Sequence, residues 1–198
     1  MKPALSFIIF LFLSLQADSQ AFANPFSKNT GSFNYDKGIN NMFLYDAPSI
    51  TNKLGKNVWE LHEYEAKNEL PKIECYNKDQ TQILRLYFHY GGTKNESAGF
   101  QILKMPKGYA GNKKNIRTTQ LKFVSALGIY PEISKKDFIK KIGSRYDRKF
   151  KNGKEIITYY TNNQDATVFK EYNGVGYRVT GIFQNNRLID YSFGFEYP

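Results

Sequence analysis

Residues 134–143, Ser-Lys-Lys-Asp-Phe-Ile-Lys-Lys-Ile-Gly, limit the fold more than any other stretch of the chain. Ser134 is placed to cap a first helical turn, and Asp137 three residues on adds a carboxylate at the positive helix start. Phe138, Ile139 and Ile142 fall at helical spacing and make one apolar stripe, while Lys135, Lys136, Lys140 and Lys141 take the wet side. Gly143 then stops the helix, because only glycine enters positive-φ backbone cheaply. A helix of about two and a half turns is too short to be stable alone. It requires a sheet to lie on.

A fainter copy of the pattern lies upstream. Asp46, Ile50, Leu54 and Gly55 match Ser134, Phe138, Ile142 and Gly143 at an offset of 88, and Phe33, Gly38 and Ile39 match Phe123, Gly128 and Ile129 at an offset of 90. Pro48 sits early enough in the first helix to be tolerated. Strand signals follow each helix. They cover 58–64, 73–76, 83–90 and 99–104 after the first, and 155–161, 166–172, 177–184 and 187–197 after the second. Asn173-Gly174 and Asn185-Asn186 read as hairpin turns, since these residues accept positive φ. The expected class is α+β, as two tandem helix-plus-antiparallel-sheet repeats with the helices on one face of the sheet. The boundaries are a loose segment over 24–32, a first repeat over 33–105, a basic link over 106–122 and a second repeat over 123–198.

Period-two alternation assigns the faces. Leu84, Leu86, Phe88 and Tyr90 share one side in the first repeat, and Ile189, Tyr191, Phe193, Phe195 and Tyr197 share one side in the second. These rows should cover the helices. The opposite sides carry Arg85, Tyr87 and His89, and Arg178, Thr180 and Ile182. If helices cover one face only, the other is open and mixed in Tyr, His and Arg. Such a composition is enriched at protein interfaces and also occurs on any half-wet antiparallel sheet.

The N-terminus reads as an export signal over residues 1–23: Lys2, an apolar run from Ala4 to Leu15, and a small-x-small site at Ala21-Phe22-Ala23. The run is too short to span a bilayer as a helix, and no cysteine follows it for lipidation. The expectation is a periplasmic or secreted protein cleaved near Ala23. The chain has one cysteine, Cys75, so it forms no internal disulfide. Cys75 alternates with Ile73 and is either buried or, on the sharper reading, a reactive thiol or an intermolecular bridge.

The net charge of +10 is concentrated. Residues 104–154 hold fifteen Lys and Arg against three acids, Glu132, Asp137 and Asp147, and the remainder of the chain is slightly acidic. One basic surface results, suited to an acidic protein partner or an anionic membrane surface, unless it is simply a solvated link and helix face.

Catalytic constellations are scarce. Two histidines, His62 and His89, offer a thin basis for a zinc site, so no metal and no cofactor are expected. No His-Glu-x-x-His, no Gly-x-Ser-x-Gly and no phosphate-cradling glycine loop occurs. Glu60, Glu63 and Glu65 could pair carboxylates for glycoside hydrolysis, but a strand would put Glu60 on the side away from the other two. The basic run is interleaved only with Phe138, Tyr146 and Phe150, which fit helix packing as well as base stacking, so no nucleic acid is expected.

A short capped helix ending in glycine, followed by four antiparallel strands and given twice, resembles the beta-lactamase-inhibitory-protein fold. The single-copy relative is the small outer-membrane-assembly lipoprotein of the BamE type. Its helix and glycine look like residues 134–143, and its last hairpin looks like 177–197. The tandem form implies a concave sheet that clamps another protein without catalysis. The expectation is therefore an exported, non-enzymatic binding protein that inhibits or neutralises an envelope enzyme or toxin, and is itself monomeric. Tyr64, Arg85, Tyr87, His89, Tyr160 and Arg178 are the candidate contacts, with Lys140, Lys141, Arg145 and Lys149 steering the encounter electrostatically. The alternative is an envelope-maintenance or outer-membrane-assembly accessory factor that binds membrane proteins or anionic lipid through the basic segment.

Overall fold

A computed structural model describes residues 30–61, 70–89, 96–109, 116–172 and 174–196. Both capped helices form where the sequence places them. Helix α1 spans Ala47–Leu54 and α2 spans Lys135–Ile142. The Asp46 carboxylate accepts from the Ser49 amide at 3.1 Å, and Ser134 Oγ accepts from the Asp137 amide at 3.1 Å while donating to the Asp137 carboxylate at 2.6 Å. Gly55 and Gly143 close the helices at φ +91° and +148°, with ψ near extended values, a region open essentially to glycine. At Gly143 a Cβ would also meet Phe33 Cβ at 3.4 Å.

Ahead of α1 lies a two-strand pair, β1 (Gly38–Ile39) and β2 (Met42–Phe43). Eight further strands form one sheet. In chain order they are β3 (Lys72–Tyr76), β4 (Gln82–Tyr87), β5 (Gly99–Lys104), β6 (Ile116–Arg117), β7 (Asp147–Lys151), β8 (Lys154–Thr161), β9 (Tyr177–Gln184) and β10 (Arg187–Phe195). Their order across the sheet is β6-β3-β4-β5-β10-β9-β8-β7. Every pairing is antiparallel except β3 with β6, which is parallel. The chain is thus mixed α and β, dominated by a large sheet with few helices. Strands β5 and β10 join its two parts through the register Ser192↔Gln101.

One hydrophobic core lies on the helix side, which we call the back face. Ile50 of α1 and Phe138 and Ile142 of α2 sink into it with Ile73, Leu84, Leu86, Phe100, Ile102, Tyr159, Val179, Tyr191 and Phe193. Phe138 packs edge-on against Phe183 (centroids 5.1 Å apart) and Tyr191 (5.8 Å). Gly181 in the middle of β9 permits this approach, since a Cβ there would stand 2.8 Å from Phe138 Cζ. The segments leading into the two helices also pair with each other through Ile39↔Ser125, with Asn40 N donating to Val124 O at 3.0 Å. Asp36 anchors this crossing. It is fully buried, and its carboxylate accepts from Tyr191 Oη at 2.8 Å and from the Lys37 amide at 3.0 Å. Burial pushes the Asp36 carboxyl up, against the hydrogen bonds from Ser125 and Tyr191.

Several sequence expectations are overturned. Of the strand expected over 58–64, residues 58–61 belong to a 3-10 helix, Lys56–Leu61, and 62–64 lie outside the described residues. Residues expected as a strand over 166–172 form a short helix, α3 (Thr167–Glu171), which buries Val168 and Phe169. Strand β8 pairs directly with β9, so 166–172 has no ladder to join, and Asn163 opens the turn by accepting from the Asp165 amide at 3.1 Å. The basic run past Arg145 is an edge strand, β7, joined to β8 through Asn152-Gly153 at φ +51° and +71°. That dipeptide is a strong hairpin signal. The link over 106–122 is more than a connector, for it supplies β6. A bulge at Leu188/Asp190 puts Leu188 on the core side and leaves Ile189 half-buried, so Ile189 does not share the row of Tyr191. Tyr90 and Tyr197 lie outside the described residues.

Candidate functional site

Opposite the helices, the front face of the sheet presents three cross-strand rows. The first is Tyr160, Arg178, Gly194, Gly99, Tyr87 and Lys72. The second is Thr158, Thr180, Ser192, Gln101, Arg85 and Glu74, and the third is Ile156, Ile182, Asp190, Leu103, Ile83 and Tyr76. Four of the expected contact residues, Arg85, Tyr87, Tyr160 and Arg178, occupy this face as alternation requires. They are not free surface: each is between 5 % and 8 % exposed.

On the β3–β5 side the polar groups tie one another down. Arg85 Nε donates to Glu74 Oε2 at 2.7 Å. Tyr87 Oη donates to Gln101 Oε1 at 2.6 Å, and Gln101 Nε2 reaches both oxygens of Asp190 at 3.0 and 2.9 Å. Tyr109, from the chain leaving β5, lies over this group: its hydroxyl donates to Glu74 Oε1 at 2.8 Å and accepts from Arg85 at 3.4 Å. Tyr109, beyond the end of β5, therefore sits on the front face. Burial pushes the Tyr109 hydroxyl up to about 12, helped by its bond to Glu74, and burial likewise raises Tyr87 against the pull of Arg85. Asp190, half-buried where the two parts of the sheet meet, has its carboxyl pushed up to about 6. Burial is the cause, opposed by Gln101, Arg85 and Lys154.

On the β8–β9 side Arg178 is paired with Glu196 and stacks over the Tyr160 ring at 5.6 Å. Burial raises the Glu196 carboxyl, opposed chiefly by Arg178. Beyond this pair the surface changes. Ile156, Thr158, Thr180 and Ile182 are only partly covered, and Lys149 on β7 stands exposed beside Ile156.

The remaining expected site residues fall elsewhere. His89 lies past the end of β4 and turns to the back, its Nε2 3.2 Å from Tyr45 Oη; Tyr45 packs on Tyr172 and Phe195. Once the β4 ladder stops at Tyr87, alternation no longer governs position 89. Burial lowers the His89 pKa. Lys140, Arg145 and Lys149 are exposed, while Lys141 is half-buried and donates to Leu127 O at 3.0 Å. Cys75 is fully buried in the core and its thiol is pushed to about 12 by burial and by Glu74, so the reactive or bridging reading is set aside. Tyr64, His62, Glu63 and Glu65 lie outside the described residues, and Glu60 is exposed.

Sequence reasoning missed Glu74, Gln101, Tyr109, Asp190 and Glu196. One of them was legible: a hairpin turning at Asn77 to Thr81 sets Glu74 directly opposite Arg85, an opposite-charge cross-strand pair. The others meet across separate parts of the chain. No family model, curated protein or solved structure matches the chain.

Proposed function

We propose that the chain is an exported, non-enzymatic protein that binds another protein through the front of β8 and β9 and so inhibits or neutralises it. The carrying observation is the patch of Ile156, Thr158, Thr180 and Ile182, which stand in cross-strand register and partly open, with exposed Lys149 at one border and Asp190 at the other. An apolar and hydroxyl centre with a charged rim is the usual anatomy of a protein interface. The fifteen cations of residues 104–154 favour an acidic partner and speed its encounter. Arg85, Tyr87, Tyr160 and Arg178 support the face from within.

The tandem-repeat reading belongs to the same proposal. It is supported by the two capped helices 88 residues apart, by the crossing of Ile39 with Ser125, and by the antiparallel pairing of β5 with β10 at an offset of about ninety. The test uses the protein from Asn24 onward, immobilised and exposed to envelope extract and culture medium. One stoichiometric protein partner, lost with Ile182→Lys while thermal unfolding is unchanged, is the expected result. Retention of anionic vesicles alone, lost with Lys140→Glu, would replace this reading with the envelope-factor alternative.

A further inference from the structure

We infer that a cleft at the C-terminal end of β8 binds a neutral saccharide unit. The cleft is separate from the β8–β9 patch, and the inference does not depend on the reading of that patch. Thr161, the residue after front-facing Tyr160, turns to the back of the sheet and forms part of the wall. The cleft holds about 300 Å³, at the low end of the range for small-molecule sites. It opens between two segments distant in the chain. One is the stretch ahead of β1 that carries Ser32 and Tyr35, and the other is the turn from β8 into α3 that carries Thr161, Asn163, Asp165 and Thr167.

Both walls are fixed by the fold. Thr30 N donates to Tyr160 O and Tyr160 N to Thr30 Oγ1, each at 3.0 Å, and Asn34 N donates to Ile142 O at 2.8 Å. Tyr35, half-buried between these anchors and β1, packs on Phe33 (centroids 4.9 Å apart) and edge-on to Tyr177 (5.7 Å). The opposite wall is fastened by its own turn. Asn163 N donates to Thr161 Oγ1 at 3.2 Å, Asp165 N to Asn163 Oδ1 at 3.1 Å, and Ala166 N to Asn163 O at 2.9 Å. A site formed in advance to this degree loses little freedom on binding.

The lining groups select the ligand. The turn uses backbone amides, and it leaves the Asn163 side-chain nitrogen, the Asp165 carboxylate and the Ser32 and Thr167 hydroxyls without a partner among the described residues. Donors and acceptors thus share one small volume with one aromatic side chain, Tyr35. Sugar hydroxyls are donors and acceptors at once, and a sugar ring also has an apolar C–H face for the tyrosine. Charge disfavours the other classes. Asp165 is the one charged residue that lines the cleft, so an anion meets it directly. Two cations stand outside the lining and oppose a cationic ligand. Arg145 lies beside Gly31, where an added Cβ would be 3.9 Å from its Cδ and Nη1, and exposed Lys170 follows Thr167 by one turn of α3. A metal ion needs several ligands of its own, and no group of three His, Cys, Asp or Glu forms among the described residues. An apolar ligand would strand the carboxylate and the amide.

The experiment records amide NMR spectra of the protein from Asn24 onward during titration with glucose, N-acetylglucosamine and the N-acetylglucosamine trimer. We expect at least one of them to shift the amides of 31–35 and 161–167 with a millimolar Kd. Tighter binding of the trimer assigns a glycan chain as the source, and equal binding a free sugar. Asp165→Ala should weaken the affinity about tenfold and Thr167→Val severalfold. Both side chains are exposed, so thermal unfolding of the variants should match the parent. The inference is overturned if none of the sugars binds at millimolar concentration, if the shifts fall elsewhere, or if Asp165→Ala binds as well as the parent. It is equally overturned if putrescine or citrate moves the same amides at a lower concentration than the sugars do.

Discussion

Across the β5–β10 seam one sheet carries two unlike front surfaces. In the row that runs from Ile83 to Ile156, Ile83 on the β4 side is 1 % exposed, while Ile182 on β9 stays half-open. In the next row Arg85 is 8 % exposed and ion-paired, while Thr180 is half-open. Alternation is the same on both sides. The difference comes with the residues that follow β5, where Tyr109 lies on Glu74 and Arg85. A face that is covered must satisfy its polar groups internally, because a buried charge without a partner costs several kcal/mol. The β3–β5 front is therefore a stability element, while Ile156, Thr158, Thr180 and Ile182 on the β8–β9 front stay partly open, and it is these that our proposal assigns to a partner.

The sharpest way to break this comparison is Glu74→Ala. It strands the Arg85 guanidinium under Tyr109 and should lower the unfolding free energy by about 3–5 kcal/mol, measured by urea unfolding. A loss below about 1 kcal/mol would mean that the network is well hydrated and the two fronts are alike. Next is Gly181→Ala, which intrudes on Phe138 and Phe183 from within β9 and should cost about 1–3 kcal/mol.

Asp190, at the seam, adds a pH dependence. Its folded pKa of about 6 lies above the unfolded value near 3.9. The native state thus holds the proton more tightly, and the group favours folding below pH 4 and loses that contribution as pH rises to about 6. Asp190→Asn should abolish this fall and raise stability at pH 7 by on the order of 2 kcal/mol. Equal slopes in the two proteins between pH 4 and 6 would refute the assignment. The smallest effect on stability belongs to Ile182→Lys, within about 0.5 kcal/mol, because its side chain is already partly in water. In the same variant partner affinity should drop at least tenfold, measured by isothermal titration.

What could be read before the fold was known follows distance along the chain. The caps at Asp46 and Ser134, the stops at Gly55 and Gly143, and the hairpin from β9 to β10 depend on hydrogen bonds within a few residues, and side-chain chemistry encodes them locally. Alternation likewise placed Arg85, Tyr87 and Arg178 on the face away from the helices. It could not say whether that face was open, because Tyr109 reaches Glu74 across 35 positions and Gln101 reaches Asp190 across 89.

The same limit explains the misplaced elements. Residues 166–172 have strand-like composition, yet they fold as a helix because β8 and β9 are already paired. His89 left the face once the ladder ended, and one bulged residue moved Ile189 off the core row. Sequence by itself determined where the short helices begin and end and which side chains alternate. Tertiary structure decided how the β3–β5 part of the front face is closed, since closure depends on Tyr109 meeting Glu74 and Arg85 from elsewhere in the chain, and local chemistry carries no record of that meeting.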